Sequence, residues 1–149
     1  MIETPQSIAD MTVNIVREIH VRASLEATFA ALLEEIGPAN STPDGRPLPM
    51  TLEPWPGGRW YRDLGDGNGH LWAHVQAIKR PTLLEFVGPL MVSAPFSSNV
   101  QYRLTEHDGG TLITFRHTAL GLISPEYKQG MGQGWDWILE RIRKHSEAH

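Results

Sequence analysis

The sequence has no cysteine among its 149 residues. This absence excludes disulfides, thiolate nucleophiles, iron–sulfur clusters and zinc sites that use cysteine. Basic residues are also outnumbered by acidic ones. The sequence has 13 Lys and Arg and 17 Asp and Glu, which gives a formal net charge of −4. Nucleic acids and anionic membranes attract basic surfaces, which this composition does not supply. No nucleic-acid partner is therefore predicted.

Long apolar segments are missing as well. No stretch approaches the roughly 18 consecutive apolar residues of a membrane-spanning helix, and the N-terminal residues lack the basic and apolar regions of a secretory signal. The sequence therefore predicts a cytoplasmic protein without membrane insertion. Its length predicts one domain over residues 1–149, with residues 1–11 as a flexible N-terminus.

The first third of the chain predicts a strand, a helix and a loop. Residues 12–22 alternate between apolar and polar, as in a half-buried strand. Ser24 is a good N-cap for a helix whose apolar stripe ends at Gly37-Pro38. Residues 38–49 contain four prolines, which remove backbone donors and fix φ, so this segment is predicted to be an irregular loop and a candidate lip over a cavity.

The remainder predicts consecutive strands and a final helix. The predicted strands are residues 50–53, 59–64, 70–79, 83–87, 98–105 and 111–118, and the helix begins near Ser124-Pro125. Strands that follow one another without intervening helices form antiparallel sheets. The predicted fold class is α+β, with a curved antiparallel sheet of about six to seven strands around a long C-terminal helix.

Three stretches carry a resemblance to a known family. They are Pro56-Gly57-Gly58 running into Arg59-Trp60, Gly109-Gly110-Thr111 opening a strand that ends near His117, and Gly134-Trp135 with Leu139 in the final helix. Together they resemble the SRPBCC (START-like, helix-grip) superfamily. Within it the chain is most similar to homologues of the C-terminal domain of activators of the heat-shock protein 90 ATPase. This resemblance implies a cavity between sheet and helix that holds hydrophobic molecules, although the loop at 38–49 departs from the usual pattern.

The candidate site consists of aromatic and apolar side chains on the predicted inner surfaces. Pockets for small molecules are lined by such groups with a few polar anchors, but a large aromatic residue is also a common core residue. The strand face that Trp72 shares with His74 is left open, as either cavity lining or outer surface. The predicted lining residues are Trp60, Trp72, Phe86, Tyr102, Phe115, His117, Met131 and Trp135.

Several polar motifs are candidates for chemistry or for ligand contacts. His117 has two interpretations. It is either a core imidazole with one hydrogen bond, or a functional residue that anchors a ligand or acts as a general acid/base. His70 and His74 lie about 13 Å apart along a strand, too far for one metal ion. The Gly130, Gly132 and Gly134 series lacks the spacing of a phosphate loop and indicates close approach of the helix or a kink that opens the cavity. No metal, cofactor or catalytic residue is predicted.

The function predicted from these features is binding of a small hydrophobic ligand in the cavity. One alternative is a polyketide cyclase or aromatase-like enzyme with His117 as acid/base, so catalysis is left undecided. Another is a co-chaperone-like interaction module that uses the outer sheet face. A homodimer and a chaperone contact are both left open.

Overall fold

The computed structural model describes residues 7–148, so most of the predicted flexible N-terminus, residues 1–6, lies outside the described part. A 3₁₀ helix at Ile8–Met11 precedes the sheet. The strands are β1 (Thr12–Val21), β2 (Thr51–Leu52), β3 (Arg59–Gly65), β4 (Asn68–Lys79), β5 (Leu83–Gly88), β6 (Phe96–His107) and β7 (Gly110–Gly121). The helices are α1 (Leu25–Ile36) and α2 (Pro125–Glu147).

The seven strands form one sheet in the order β1-β7-β6-β5-β4-β3-β2. Every neighbouring pair is antiparallel, which confirms the predicted α+β class and the curved sheet around a long C-terminal helix. The strand predicted at residues 50–53 is reduced to two residues. Among residues 7–148, no helix has the length and apolar content needed to cross a membrane.

Both helices begin at the residues that the sequence indicated. The Ser24 hydroxyl accepts a hydrogen bond from the Ala27 amide, and Ser124 does the same for Tyr127. These caps satisfy amides that have no partner inside the helix. Pro125 occupies the first turn of α2, where its missing N–H is not needed. The Ser124 cap therefore fixes the start of α2. The first turn of this helix contributes Glu126 and Tyr127 to the cavity described below.

Two bulges break the alternation predicted for β4. Trp60 pairs with Ala73 and Tyr61 with Leu71, so Trp72 is an extra residue between them. The bulge turns Trp72 and Ala73 inward together, and both are buried, whereas Leu71 is exposed. A second bulge places an extra residue at Gln76. The prediction that Trp72 and His74 share one strand face is wrong, because a bulge shifts the side-chain phase by one residue.

The core lies between the sheet and the two helices. Its largest fully buried side chains include Tyr102, Phe86 and Phe115 from the sheet and Leu32 and Ile36 from α1. They belong to one continuous cluster that also contains Trp135, Ile138, Leu139 and Ile142 of α2. This layer is closely packed against the sheet, and it supports the wall of the cavity described below.

Phe86→Ala should show that this side chain is structural. Phe86 is fully buried and stacks on Trp60, so its truncation should lower the free energy of unfolding by about 3–5 kcal/mol, as measured by urea denaturation. Trp55 is 55% exposed, and Trp55→Ala should change the free energy by no more than about 0.5 kcal/mol. Equal effects of the two variants would contradict the assignment of Phe86 to the core.

Candidate ligand cavity

A cavity of about 480 Å³ lies between the inner face of the sheet and α2. Small-molecule pockets typically enclose about 300–1,000 Å³, so this volume is in the range of a binding site. The sheet contributes Trp60, Trp72 and His117, and α1 contributes Ile36. The rest of the lining is Glu126, Tyr127, Gly130, Met131, Gly134, Trp135 and Ile138 of α2, Asn40, Ser41, Thr42, Pro43 and Leu48 of the loop, and Leu90 and Met91.

Five of the eight predicted residues meet at this cavity. Trp60, Trp72, His117, Met131 and Trp135 all contribute to its lining, although they come from four separate elements. The bulge at β4 resolves the open question about Trp72, because the side chain lies on the inner face while His74 is exposed.

The other three predicted residues do not line this cavity. Phe86, Tyr102 and Phe115 are each at most 1% exposed and lie behind the cavity wall. The Phe86 ring stacks on Trp60 at a centroid distance of 4.8 Å, and Phe115 lies 4.8 Å from the Trp135 ring. Strand phase identified the correct face, but the tryptophans cover these rings and separate them from the open volume.

Tyr102 has no anchoring role in this geometry. Its hydroxyl is buried and has no hydrogen-bond partner within residues 7–148. Burial also raises the pKa of the phenol above its ordinary value. The group therefore stays neutral inside the packed layer, and it does not contribute to the cavity lining.

The proline-rich loop forms one side of the mouth. Asn40 and Leu48 exchange hydrogen bonds, with the Leu48 amide donating to the Asn40 carbonyl at 2.8 Å and the Asn40 side-chain amide donating to the Leu48 carbonyl at 2.9 Å. The Trp137 indole donates to the Ser41 hydroxyl at 3.1 Å. These bonds fix the loop against α2. The proline density indicated a lip, but no pattern in the sequence identified which loop side chains would face inward.

On the sheet side, the tryptophan N–H groups are bonded to the protein. The Trp60 indole donates to the Ile36 carbonyl at 2.8 Å, and the Trp72 indole donates to Nδ1 of His70 at 3.2 Å. The two indoles meet edge to face, with ring centroids 5.1 Å apart. Since an indole has one donor and no acceptor, both side chains have no polar group left to offer a ligand.

His117 takes part in a chain of hydrogen bonds at the cavity floor. The Trp135 indole donates to Nδ1 at 3.0 Å, and Nε2 lies 2.8 Å from the hydroxyl of Ser98. Because the indole N–H can only donate, Nδ1 must be unprotonated, and the proton resides on Nε2 and is donated to Ser98. The predicted core imidazole with one hydrogen bond thus has two, and neither nitrogen remains for a ligand.

Burial keeps this imidazole neutral. His117 is fully inaccessible to solvent, and burial lowers its pKa from 6.5 to about 4. The donated indole N–H acts in the same direction, because a proton on Nδ1 would oppose it. A general acid/base works best with a pKa near the operating pH. His117 therefore has the properties of a structural residue rather than those of a catalytic one.

Two glycines of α2 leave part of the cavity open. A Cβ atom added to Gly130 or Gly134 would meet no atom within 4 Å, whereas one added to Gly132 would lie 3.0 Å from the Arg17 guanidinium. Close approach of the helix therefore does not explain Gly130 and Gly134. Their missing side chains enlarge the cavity instead.

Residues 7–148 contain no cluster of three or more histidine or acidic side chains that would suit a metal ion. Glu53 lies outside the cavity and pairs with Arg59, with a shortest contact of 2.7 Å that helps lower the pKa of the carboxyl to about 2. What the lining offers is mainly apolar surface.

Stability should fall at mildly acidic pH because of His117. Its pKa is 6.5 in the unfolded chain and about 4 in the fold, so the unfolded state binds the extra proton between these values. The stabilisation is complete above pH 6.5 and is lost as the pH falls to about 4, by roughly 3 kcal/mol in total. Urea denaturation at a series of pH values measures this loss.

His117→Gln provides the corresponding variant, because an amide can accept from Trp135 and donate to Ser98 without titrating. It should flatten the pH dependence between pH 6.5 and 4, while the exposed His20→Gln should not. The same slope in His117→Gln and in the parent protein would contradict the assignment.

The fold and sequence match known proteins. Residues 44–147 match the family described as "Activator of Hsp90 ATPase homolog 1-like protein". No curated protein matches the chain. An uncharacterized protein from Rhizobium leguminosarum is similar in structure, with a TM-score of 0.68 and 19% identity over 93% of this chain and 96% of that one.

Two further solved structures share the fold. The di-domain ARO/CYC StfQ of the steffimycin biosynthetic pathway superimposes with a TM-score of 0.68 and 13% identity, over 95% of this chain and 52% of that chain. Ara h 8.0201 superimposes with a TM-score of 0.67 and 15% identity, over 93% and 99% of the respective chains. These structures confirm the helix-grip fold, and the family match over residues 44–147 shows that the protein belongs to the Activator of Hsp90 ATPase homolog 1-like family.

Proposed function

We propose that this protein binds a small apolar molecule in the cavity between the sheet and α2. The observation that carries the proposal is an open cavity of about 480 Å³ with a mainly apolar lining. Small-molecule sites are typically clefts of this size, lined by apolar and aromatic side chains with a few polar groups. The walls formed by Trp60, Trp72 and Trp135 fit that description.

The driving force for binding would be burial of apolar ligand surface. At about 25 cal/mol per Å², covering roughly 200 Å² of ligand surface would supply about 5 kcal/mol before the cost of association. The indole rings offer flat faces, and Met131 and Ile138 offer flexible apolar contacts. This combination suits ring-containing ligands.

The glycines of α2 support the same role. A glycine inside a helix costs about 0.8–1 kcal/mol relative to alanine, and at Gly130 and Gly134 there is room for a methyl group. Alanine would fit at both positions and would stabilise the helix, so local packing does not require glycine there. Keeping the cavity open is the physical consequence of these two residues.

The catalytic alternative finds less support. A cyclase or aromatase-like reaction at His117 needs a free ring nitrogen near neutral pKa, but both nitrogens are bonded within the protein and the pKa is about 4. The remaining polar side chains of the lining, such as Glu126 and Thr42, lie at the mouth. A chaperone contact, a homodimer and a cytoplasmic location stay predictions from the sequence.

Filling the cavity from α2 should abolish binding. The Gly134→Leu variant places a branched side chain into open space, and leucine favours the helix by up to about 0.8 kcal/mol over glycine, so the fold should be retained. We expect the affinity for the apolar fluorophore N-phenyl-1-naphthylamine to fall at least tenfold, as measured by fluorescence titration.

Two alanine variants make the comparison local. Gly134→Ala should weaken binding of the fluorophore moderately, while Gly132→Ala, which faces Arg17 outside the cavity, should leave the affinity unchanged. Tight binding of the fluorophore by Gly134→Leu would show that the cavity is not the binding site.

A further inference from the structure

The ring N–H donors deep in the cavity are already used by the protein. The indole N–H groups of Trp60, Trp72 and Trp135 each donate to a protein acceptor, at distances of 2.8, 3.2 and 3.0 Å. The proton of His117 is donated to Ser98, which is itself buried. A ligand oxygen deep in the cavity would therefore meet ring faces and methyl groups rather than N–H donors.

The charges around the cavity have one sign. Within the described lining, the one side chain charged at neutral pH is Glu126, in the first turn of α2 at the mouth. Cations near α2 are bound elsewhere, since Lys128 donates to the Ala9 carbonyl at 3.0 Å and Arg17 pairs with Asp136 at 2.7 Å. No described lysine or arginine lines the cavity.

We infer that the cavity selects uncharged ring-containing molecules and rejects anions of the same shape. This inference rests on the proposed binding function and adds the charge class of the ligand. The apolar end of the ligand enters toward Trp135 and His117, and its polar atoms stay at the mouth beside Ser41, Thr42 and Glu126.

The physical basis is desolvation. An anion moved from water into the deep part of the cavity loses several kcal/mol of hydration. The ring N–H groups there are already bonded to the protein, and no described lysine or arginine lines the cavity. An uncharged molecule with the same rings bears no such cost. The Glu126 carboxylate adds repulsion at the entrance. Fatty acids and acidic lipids are therefore excluded as ligands with a buried head group.

A matched pair of fluorophores tests the inference. N-phenyl-1-naphthylamine and 8-anilino-1-naphthalenesulfonate share one ring skeleton and differ by a sulfonate that stays ionised. We expect the neutral compound to bind the parent protein at least tenfold more tightly. Gly134→Leu identifies the signal that comes from the cavity, and any sulfonate signal that survives in this variant is surface binding.

Charge variants test the role of the mouth. Glu126→Lys supplies the missing cation and should raise the ratio of the sulfonate affinity to the neutral-compound affinity several-fold. Glu18→Lys makes the same change in net charge at an exposed position on β1, and it should have little effect. Equal effects of the two variants would overturn the proposed action of Glu126.

The outcomes separate the two proposals. If neither fluorophore binds in the cavity, both the binding function and the charge selection are wrong. If both bind there with equal affinity and Gly134→Leu removes both signals, the binding function stands and the charge selection is overturned.

Discussion

The structure depends on the chain of hydrogen bonds from the Trp135 indole through His117 to Ser98. It joins α2 to β7 and β6 at the floor of the cavity, and it gives each of the three buried side chains a hydrogen-bond partner. A buried polar chain of this kind is stabilising only when every member is paired. It also fixes one imidazole tautomer and turns the polar edge of Trp135 away from the open volume. The apolar character of the cavity follows from that arrangement.

The rest of the molecule divides the interior into a packed layer and an open one. Phe86, Tyr102 and Phe115 fill the space directly on the sheet, and the tryptophans stand on this layer with their N–H groups bonded back to the protein. Above them, Gly130 and Gly134 omit the side chains that would otherwise complete the core. The proline-rich loop, fixed by Ser41 and Trp137, forms one side of the mouth. Rigid walls around an unfilled volume are the result.

The sequence predicted the fold well because periodicity reports which face of an element is buried. The alternation in β1, the N-cap Ser24 and the start of the final helix near Ser124 all agree with the structure. Periodicity does not indicate how far a buried side chain lies from the cavity. The sequence therefore predicts Phe86, Tyr102 and Phe115 at the cavity wall, whereas in the structure they lie behind it. The bulge at Trp72 changed the phase within a strand, and no local residue pattern signalled it. Loop residues such as Asn40 and Leu90 carry no periodicity at all.

The most direct test of this account is the protonation state of His117, observed by ¹⁵N NMR of the imidazole ring as the pH is lowered from 7 to 5. The hydrogen-bond chain predicts a neutral ring throughout, with the proton on Nε2 and an unprotonated Nδ1 that accepts from Trp135. A ring that is protonated on Nδ1, or that becomes charged above pH 6, would contradict it. In that case the cavity floor would carry a polar group available to a ligand.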